Sequence, residues 1–262
     1  MSRRRLALLA LAGLLVLSGC LGGIGGGPAS DDQLDQPPET AYDWDTNTDV
    51  SITVTNQTTY RAVYDVSAFN ESIRLAEGGF LGTDTPVSIR SLRYRYPNGT
   101  VINGSKFDEH GGSVGTQDNA LVIEPPADDG KMAYSGDGTP KQFSHPIAVE
   151  EGSYTVVLPE NRETSVPLFG RIVPAPDSTI TLDGRLHIVW VQATGETLLV
   201  RYYLPRDVQL FGGLLIGLVG VGVAGGGYYW RKIKELRERR EEIGLDVDIE
   251  HDDGDGPPPG MG

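Results

Sequence analysis

The sequence predicts an all-β exterior domain, a β-sandwich, joined to a single C-terminal transmembrane α-helix. Three observations carry that reading. Residues 208–230 (VQLFGGLLIGLVGVGVAGGGYYW) hold no charge and are followed at once by Arg231, Lys232 and Lys234. Residues 50–206 alternate apolar and polar side chains in short runs and show no long stretch at helical period. Gly, Pro, Asn and Asp separate those runs, which is how turns between strands are written.

The N-terminus reads as an export signal. Ser2-Arg3-Arg4-Arg5 is a positive start, and residues 6–17 form an apolar run too short to span a bilayer. Leu17-Ser18-Gly19-Cys20 resembles the lipobox of exported lipoproteins, with residues 1–19 removed and Cys20 left to carry the lipid. Cys20 is the single cysteine, so an exported domain must rest on packing without an internal disulfide. Ser2-Arg3-Arg4-Arg5-Leu6 also looks like a twin-arginine signal, which carries folded cargo.

Residues 20–49 read as a flexible tether, Gly-rich at first and then rich in Asp, Pro and Thr. As free coil this length reaches about 30 Å. From Val50 the alternation begins. Val50, Ile52 and Val54 share one face, as do Tyr60, Ala62, Tyr64 and Val66. Leu92, Tyr94 and Tyr96 alternate with Arg93 and Arg95, and Pro97-Asn98-Gly99 then turns the chain into a return strand over residues 100–102. Further strands are expected at 120–123, 131–134, 153–158, 180–182, 185–191 and 197–204. Both faces of 186–191 are largely apolar, which suggests a central strand. Residues 159–163 are a candidate boundary between two modules within 50–206.

Acidic residues number 36 against 22 basic, and residues 21–206 alone carry 25 against 13. Such a surface repels nucleic acid and anionic lipid and suits a protein held soluble at high salt. The sequons Asn56-Gln57-Thr58, Asn70-Glu71-Ser72, Asn98-Gly99-Thr100 and Asn103-Gly104-Ser105 all fall in the exterior part, so Asn56, Asn70, Asn98 and Asn103 are candidate glycan acceptors.

Motifs for chemistry are sparse. Gly111-Gly112-Ser113-Val114-Gly115 fits G-x-S-x-G, but no helix pattern follows Ser113, so it reads as a Gly-rich loop. Gly220-Val221-Gly222-Val223-Ala224-Gly225 lies inside the apolar run, where a dinucleotide site has no strand to precede it. His110, His145, His187 and His251 form no metal-binding pair. Asp128-Asp129-Gly130 and Asp137-Gly138 read as turns rather than calcium loops. No catalytic residue, metal or cofactor is therefore expected. Arg90, Arg93 and Arg95 are expected on a solvated strand face with acidic cross-strand partners.

At about 1.5 Å per residue, residues 208–230 span about 34 Å as a helix, enough for the hydrocarbon core. The basic cluster beyond Trp230 puts the tail in the cytoplasm and the β domain outside, in agreement with the export signal. Gly213 and Gly217, and Gly222 and Gly226, are small-xxx-small pairs on opposite helix faces and candidate contacts for self-association. The transmembrane segment is bounded at 207–230. Residues 231–243 continue as a charged juxtamembrane helix, and 244–262 read as a disordered acidic tail.

The chain resembles a family of uncharacterised membrane lipoproteins of halophilic archaea. The likeness rests on Leu17-Ser18-Gly19-Cys20, the run SLRYRYPNGT at 91–100, Glu151-Gly152-Ser153-Tyr154, Arg201-Tyr202-Tyr203-Leu204, Gly244-Leu245-Asp246-Val247-Asp248-Ile249 and the terminal PPPGMG. It implies location and halophily and carries no activity. The leading expectation is a membrane-anchored, non-catalytic binding or scaffold module at the cell surface, with membrane lipid, a membrane complex or a second copy as partners and no nucleic acid. The alternatives are a transmitter that recruits a cytoplasmic partner through its tail, and an exported hydrolase.

Overall fold

A computed structural model describes residues 29–56, 58–69, 71–78 and 83–242. The chain divides into two units at Pro205, one of strands and one of helix. The first opens with a short helix α1 (Asp31–Asp35). Fifteen strands follow among the described residues: β1 (Val50–Val54), β2 (Thr59–Asp65), β3 (Ile73–Gly78), β4 (Asp84–Pro86), β5 (Ile89–Arg95), β6 (Val101–Asn103), β7 (Ser113–Gln117), β8 (Ala120–Glu124), β9 (Lys131–Asp137), β10 (Gln142–Pro146), β11 (Tyr154–Glu160), β12 (Arg171–Val173), β13 (Ser178–Leu182), β14 (Arg185–Trp190) and β15 (Thr197–Arg201).

Eight strands form one sheet in the order β13-β14-β11-β1-β2-β9-β5-β6. Two smaller sheets, β10-β15-β12 and β4-β3-β8-β7, pack against its inner face, giving a β-sandwich-like fold. One apolar core joins Ile52, Tyr64 and Val156 of the large sheet to Phe143, Val200, Leu75 and Ile123 of the small ones. The alternation seen from Val50 onward supplies that inner face, since every second side chain of β1 is buried. Trp190 is buried in the core and donates its indole N–H to the Pro174 carbonyl at 3.1 Å.

The expected hairpin is present between β5 and β6. Tyr96 and Thr100 pair through their backbone, Asn98 Oδ1 accepts from the Thr100 N–H, and Gly99 takes φ +88°, a conformation open to glycine at little strain. The strand set also holds members that the alternation did not disclose: β3, β4, β7, β10 and β12. The Gly-rich stretch around Ser113 is strand β7, paired along its length with β8, and not a loop. The suggested central strand is β14, which lies second from the edge, with its outward residues only half-buried. At residues 159–163, β11 ends inside the large sheet; its partner β14 lies beyond that point in sequence, and the core is continuous across it.

The tether is corrected from residue 29 onward, because this stretch is packed. Ser30 and Gln33 form a capping box at the start of α1, which satisfies the first free N–H groups of the helix. Leu34 is buried against Leu92, and Gly104 is what lets it approach, since a Cβ there would lie 2.8 Å from the Leu92 Cβ. The signal was hard to see because the anchoring residues Leu34, Tyr42 and Trp44 are single and follow no period.

Among the described residues the second unit is one helix, α2 (Pro205–Glu242), unbroken through the apolar run and the charged stretch after it. Proline at the first helical position gives up only an N–H that has no intrahelical partner. Its apolar window is long enough to cross a membrane, and none of that window is buried within the chain.

Candidate binding face on the outer side of the large sheet

The strand registers place one row of side chains across the outer face of seven strands: Ile180, His187, Val157, Thr53, Arg61, Ser135 and Arg90. A parallel row runs Ser178, Val189, Thr155, Ser51, Val63, Ala133 and Arg93. Strict alternation along β5 would put Arg90 and Arg93 on opposite faces. A bulge between them, with Ser91 at φ +58°, adds a residue and brings both guanidiniums outward.

The two ends of these rows are treated differently. Over β5, β9 and β2 lies the segment 29–48, which acts as a strap. Tyr42 fills a small outer cluster with Val63 and Ala133, with Trp44 beside it, and its hydroxyl donates to the Ser91 carbonyl at 2.7 Å. The cations beneath bind the strap by its carbonyls. Arg93 donates to Leu34, Asp35 and Gln36 at 2.8–2.9 Å, Arg61 to Ala41 at 3.0 Å, and Lys131 to Trp44 at 2.8 Å and Thr46 at 3.2 Å. The strap itself carries Asp31, Asp32, Asp35, Glu39, Asp43 and Asp45, so acidic chain lies on a basic sheet face. The expected acidic cross-strand partner exists for Arg90, which meets Asp137 at 2.6 Å. For Arg93 the partners are backbone carbonyls instead, because the helix end of α1 presents three together.

Over β13, β14, β11 and β1 the face stays open. There the strap edge (Asp43, Asp45, Asn47) and β13 bound a groove of about 470 Å³, floored by Thr155, Val157, His187 and Val189. Ile180 and Leu182 line it and remain 51% and 52% exposed, large values for aliphatic side chains in a sheet. Burial, and then the neighbouring Arg185 guanidinium, hold the His187 imidazole below its ordinary range, so it is neutral at pH 7. Beyond β13 the large sheet has no further strand among the described residues. The groove was not singled out from sequence. The available signal was Ile180 and Leu182 at alternate positions, followed by the Asp183-Gly184 hairpin turn.

Residues 46–248 match DUF5803, described as a family of unknown function. That span contains all fifteen strands and the whole of α2. The chain belongs to DUF5803. No curated protein matches it. The DUF5803 match takes in the open groove whole apart from Asp43 and Asp45, and it starts at the last turn of the strap.

Of the residues marked from sequence, Cys20, Asn70 and the tail lie outside the described residues. Asn56 and Asn98 are exposed. Asn103 is exposed as well, but Ser105 of the same sequon donates to the Asp35 carboxylate at 2.7 Å, so this site is tied into the contact with α1. Asn98 stands at the tip of the β5–β6 hairpin. Ser113 donates to Glu124 at 2.9 Å, and the strand that holds it is not a strand-to-helix elbow. Asp137 is engaged by Arg90, and among the described residues no three His, Cys, Asp or Glu side chains converge. A Cβ at Gly213, Gly217, Gly222 or Gly226 would touch nothing in the chain, so both small-residue pairs face outward.

Proposed function

We propose that the protein is a lipid- and helix-anchored binding module of the cell surface, non-catalytic, with the open groove of the large sheet as its docking face. The carrying observation is the uneven treatment of that face. The strap covers three strands with matched charge and a small apolar cluster, then leaves Ile180 and Leu182 bare beside a neutral imidazole. A shallow face of mixed aliphatic, hydroxyl and charged groups suits a protein partner better than a small molecule, which favours enclosed pockets. In this reading export places the β domain outside, Cys20 carries lipid, and the charged end of α2 is cytoplasmic. The high acidic excess keeps the exterior soluble in concentrated salt.

The test is crosslinking in intact membranes followed by affinity purification. The wild-type chain is expected to capture a partner that the I180D/L182D double variant loses, with the amount of membrane-inserted protein unchanged. Equal capture by both, or turnover of a hydrolase substrate by the purified chain, overturns the proposal. Glycosylation is tested separately: N98Q is expected to lower the mass of the mature protein by one glycan, whereas N103Q leaves it unchanged.

One observation favours the second reading, transmission through the tail. Helix α2 runs without a break from the apolar stretch into its charged end, so motion at one end is carried to the other. Deleting residues 244–262 is then expected to reproduce the phenotype of a full deletion; a wild-type phenotype removes this reading.

A further inference from the structure

Where the strap crosses β2 and β5, it roofs a small polar chamber of about 110 Å³. Gln36, Glu39 and Thr40 contribute from the strap, and Arg61, Arg90 and Ser91 from the sheet. The two guanidiniums differ in how they are satisfied. Arg90 is neutralised by Asp137 at 2.6 Å. Arg61 reaches only the Ala41 carbonyl, at 3.0 Å, and among the described residues no carboxylate pairs with it. Its Nε–H is buried without an acceptor. A buried charged donor without a partner is costly, so this N–H wants an acceptor inside the chamber.

The rest of the wall narrows the choice of acceptor. Tyr42 gives its proton to the Ser91 carbonyl, so Ser135 Oγ gives its own to Tyr42, at 2.9 Å. Ser91, 1% exposed, also lines the chamber. The wall carries two guanidiniums against one carboxylate, Glu39, which is exposed to solvent; the other side-chain acceptors are the neutral oxygens of Gln36, Thr40, Thr55, Thr59 and the two serines. A water site needs about 10–15 Å³, so the volume takes one ion with a few waters. We propose that this chamber binds a small inorganic anion of the halide class, with Arg61 Nε as its chief donor and Arg90 and the Ser91 hydroxyl beside it. The ion then fastens residues 36–41 of the strap to the sheet from below.

The test uses the full chain in detergent, unfolded by heat in sodium chloride or sodium bromide and in sodium gluconate at equal ionic strength. The halides are expected to raise Tm saturably, by about 5–10 °C at a hundredfold excess over Kd, relative to gluconate. R61K keeps the charge and a donor for Ala41 but lacks the Nε–H, and is expected to abolish the halide-specific rise while still folding. R90Q is expected to weaken it. Bromide-soaked crystals are expected to show an anomalous peak in the chamber. Identical melting in halide and gluconate, an undiminished halide effect in R61K, or ordered water alone in the chamber overturns the proposal.

Discussion

Replacing Arg93 by alanine is expected to free residues 29–48 from the sheet while the sandwich stays folded. The guanidinium donates to three successive strap carbonyls, Leu34, Asp35 and Gln36, at the C-terminal end of α1, where helix carbonyls have no partner of their own. A hydrogen bond from a charged group is worth about 1.5–3 kcal/mol, and three on one fork are not additive, so the loss in docking is about 2–4 kcal/mol. Amide exchange of the strap should accelerate by about 30-fold or more, and a protease should clip within 36–48. R93K should fall between, since a single ammonium cannot span three carbonyls at once. Unchanged strap protection in R93A would mean that Tyr42 and Leu34 hold the segment by themselves.

Acid is expected to weaken the sandwich through His145. This imidazole projects from β10 and is fully buried, edge-on to the Tyr60 ring and stacked with Tyr134 and Phe143. Its Nδ1 donates to the Pro146 carbonyl at 2.7 Å, so Nε2 is the acceptor and takes the Tyr134 hydroxyl proton at 2.8 Å. Tyr64 lies 3.3 Å from both. No carboxylate faces the ring among these contacts, and burial pushes its pKa from 6.5 down to about 4. A native pKa below the unfolded value means that the unfolded chain binds the proton first. Stability is therefore whole above pH 6.5, declines as pH falls toward 4, and is lost below that, by about 3 kcal/mol in all. H145Q keeps an acceptor for Tyr134 without a titrating group, and its denaturant midpoint should be flatter over that window. A wild-type midpoint constant from pH 7 to pH 4.5 would rule out the buried imidazole as the cause.

The large sheet was legible because its strands carry the strongest alternation. Val50, Ile52 and Val54 of β1, Tyr60, Ala62 and Tyr64 of β2, and Leu92 and Tyr94 of β5 alternate largely with polar or half-buried neighbours and supply the buried inner face. The β5–β6 hairpin was legible from Asn98-Gly99, since that pair favours a tight turn. The small sheets were harder to read. β4 and β12 are three residues long, too short for a period to show, and β10 holds His145 and Pro146, which do not announce a strand. The binding face was legible only in part. Arg90, Arg93 and Arg95 were grouped correctly on one face, but that grouping depends on a bulge that no local pattern encodes. The strap was missed because its contacts are made by single residues to strands as distant as β9. Alternation reports which face a side chain takes, and not what lies across it.

Strand β1 sits inside the large sheet between β2, which follows within a few residues, and β11, which pairs with it in parallel about a hundred residues later. A chain leaving the ribosome can form the first pairing at once, but one flank of β1 stays bare until residues 154–157 have emerged. Any product cut short before that point presents a naked apolar ribbon, Val50 to Val54, to its neighbours. Synthesis of this protein is thus safest when the whole β region is complete before it meets other nascent chains.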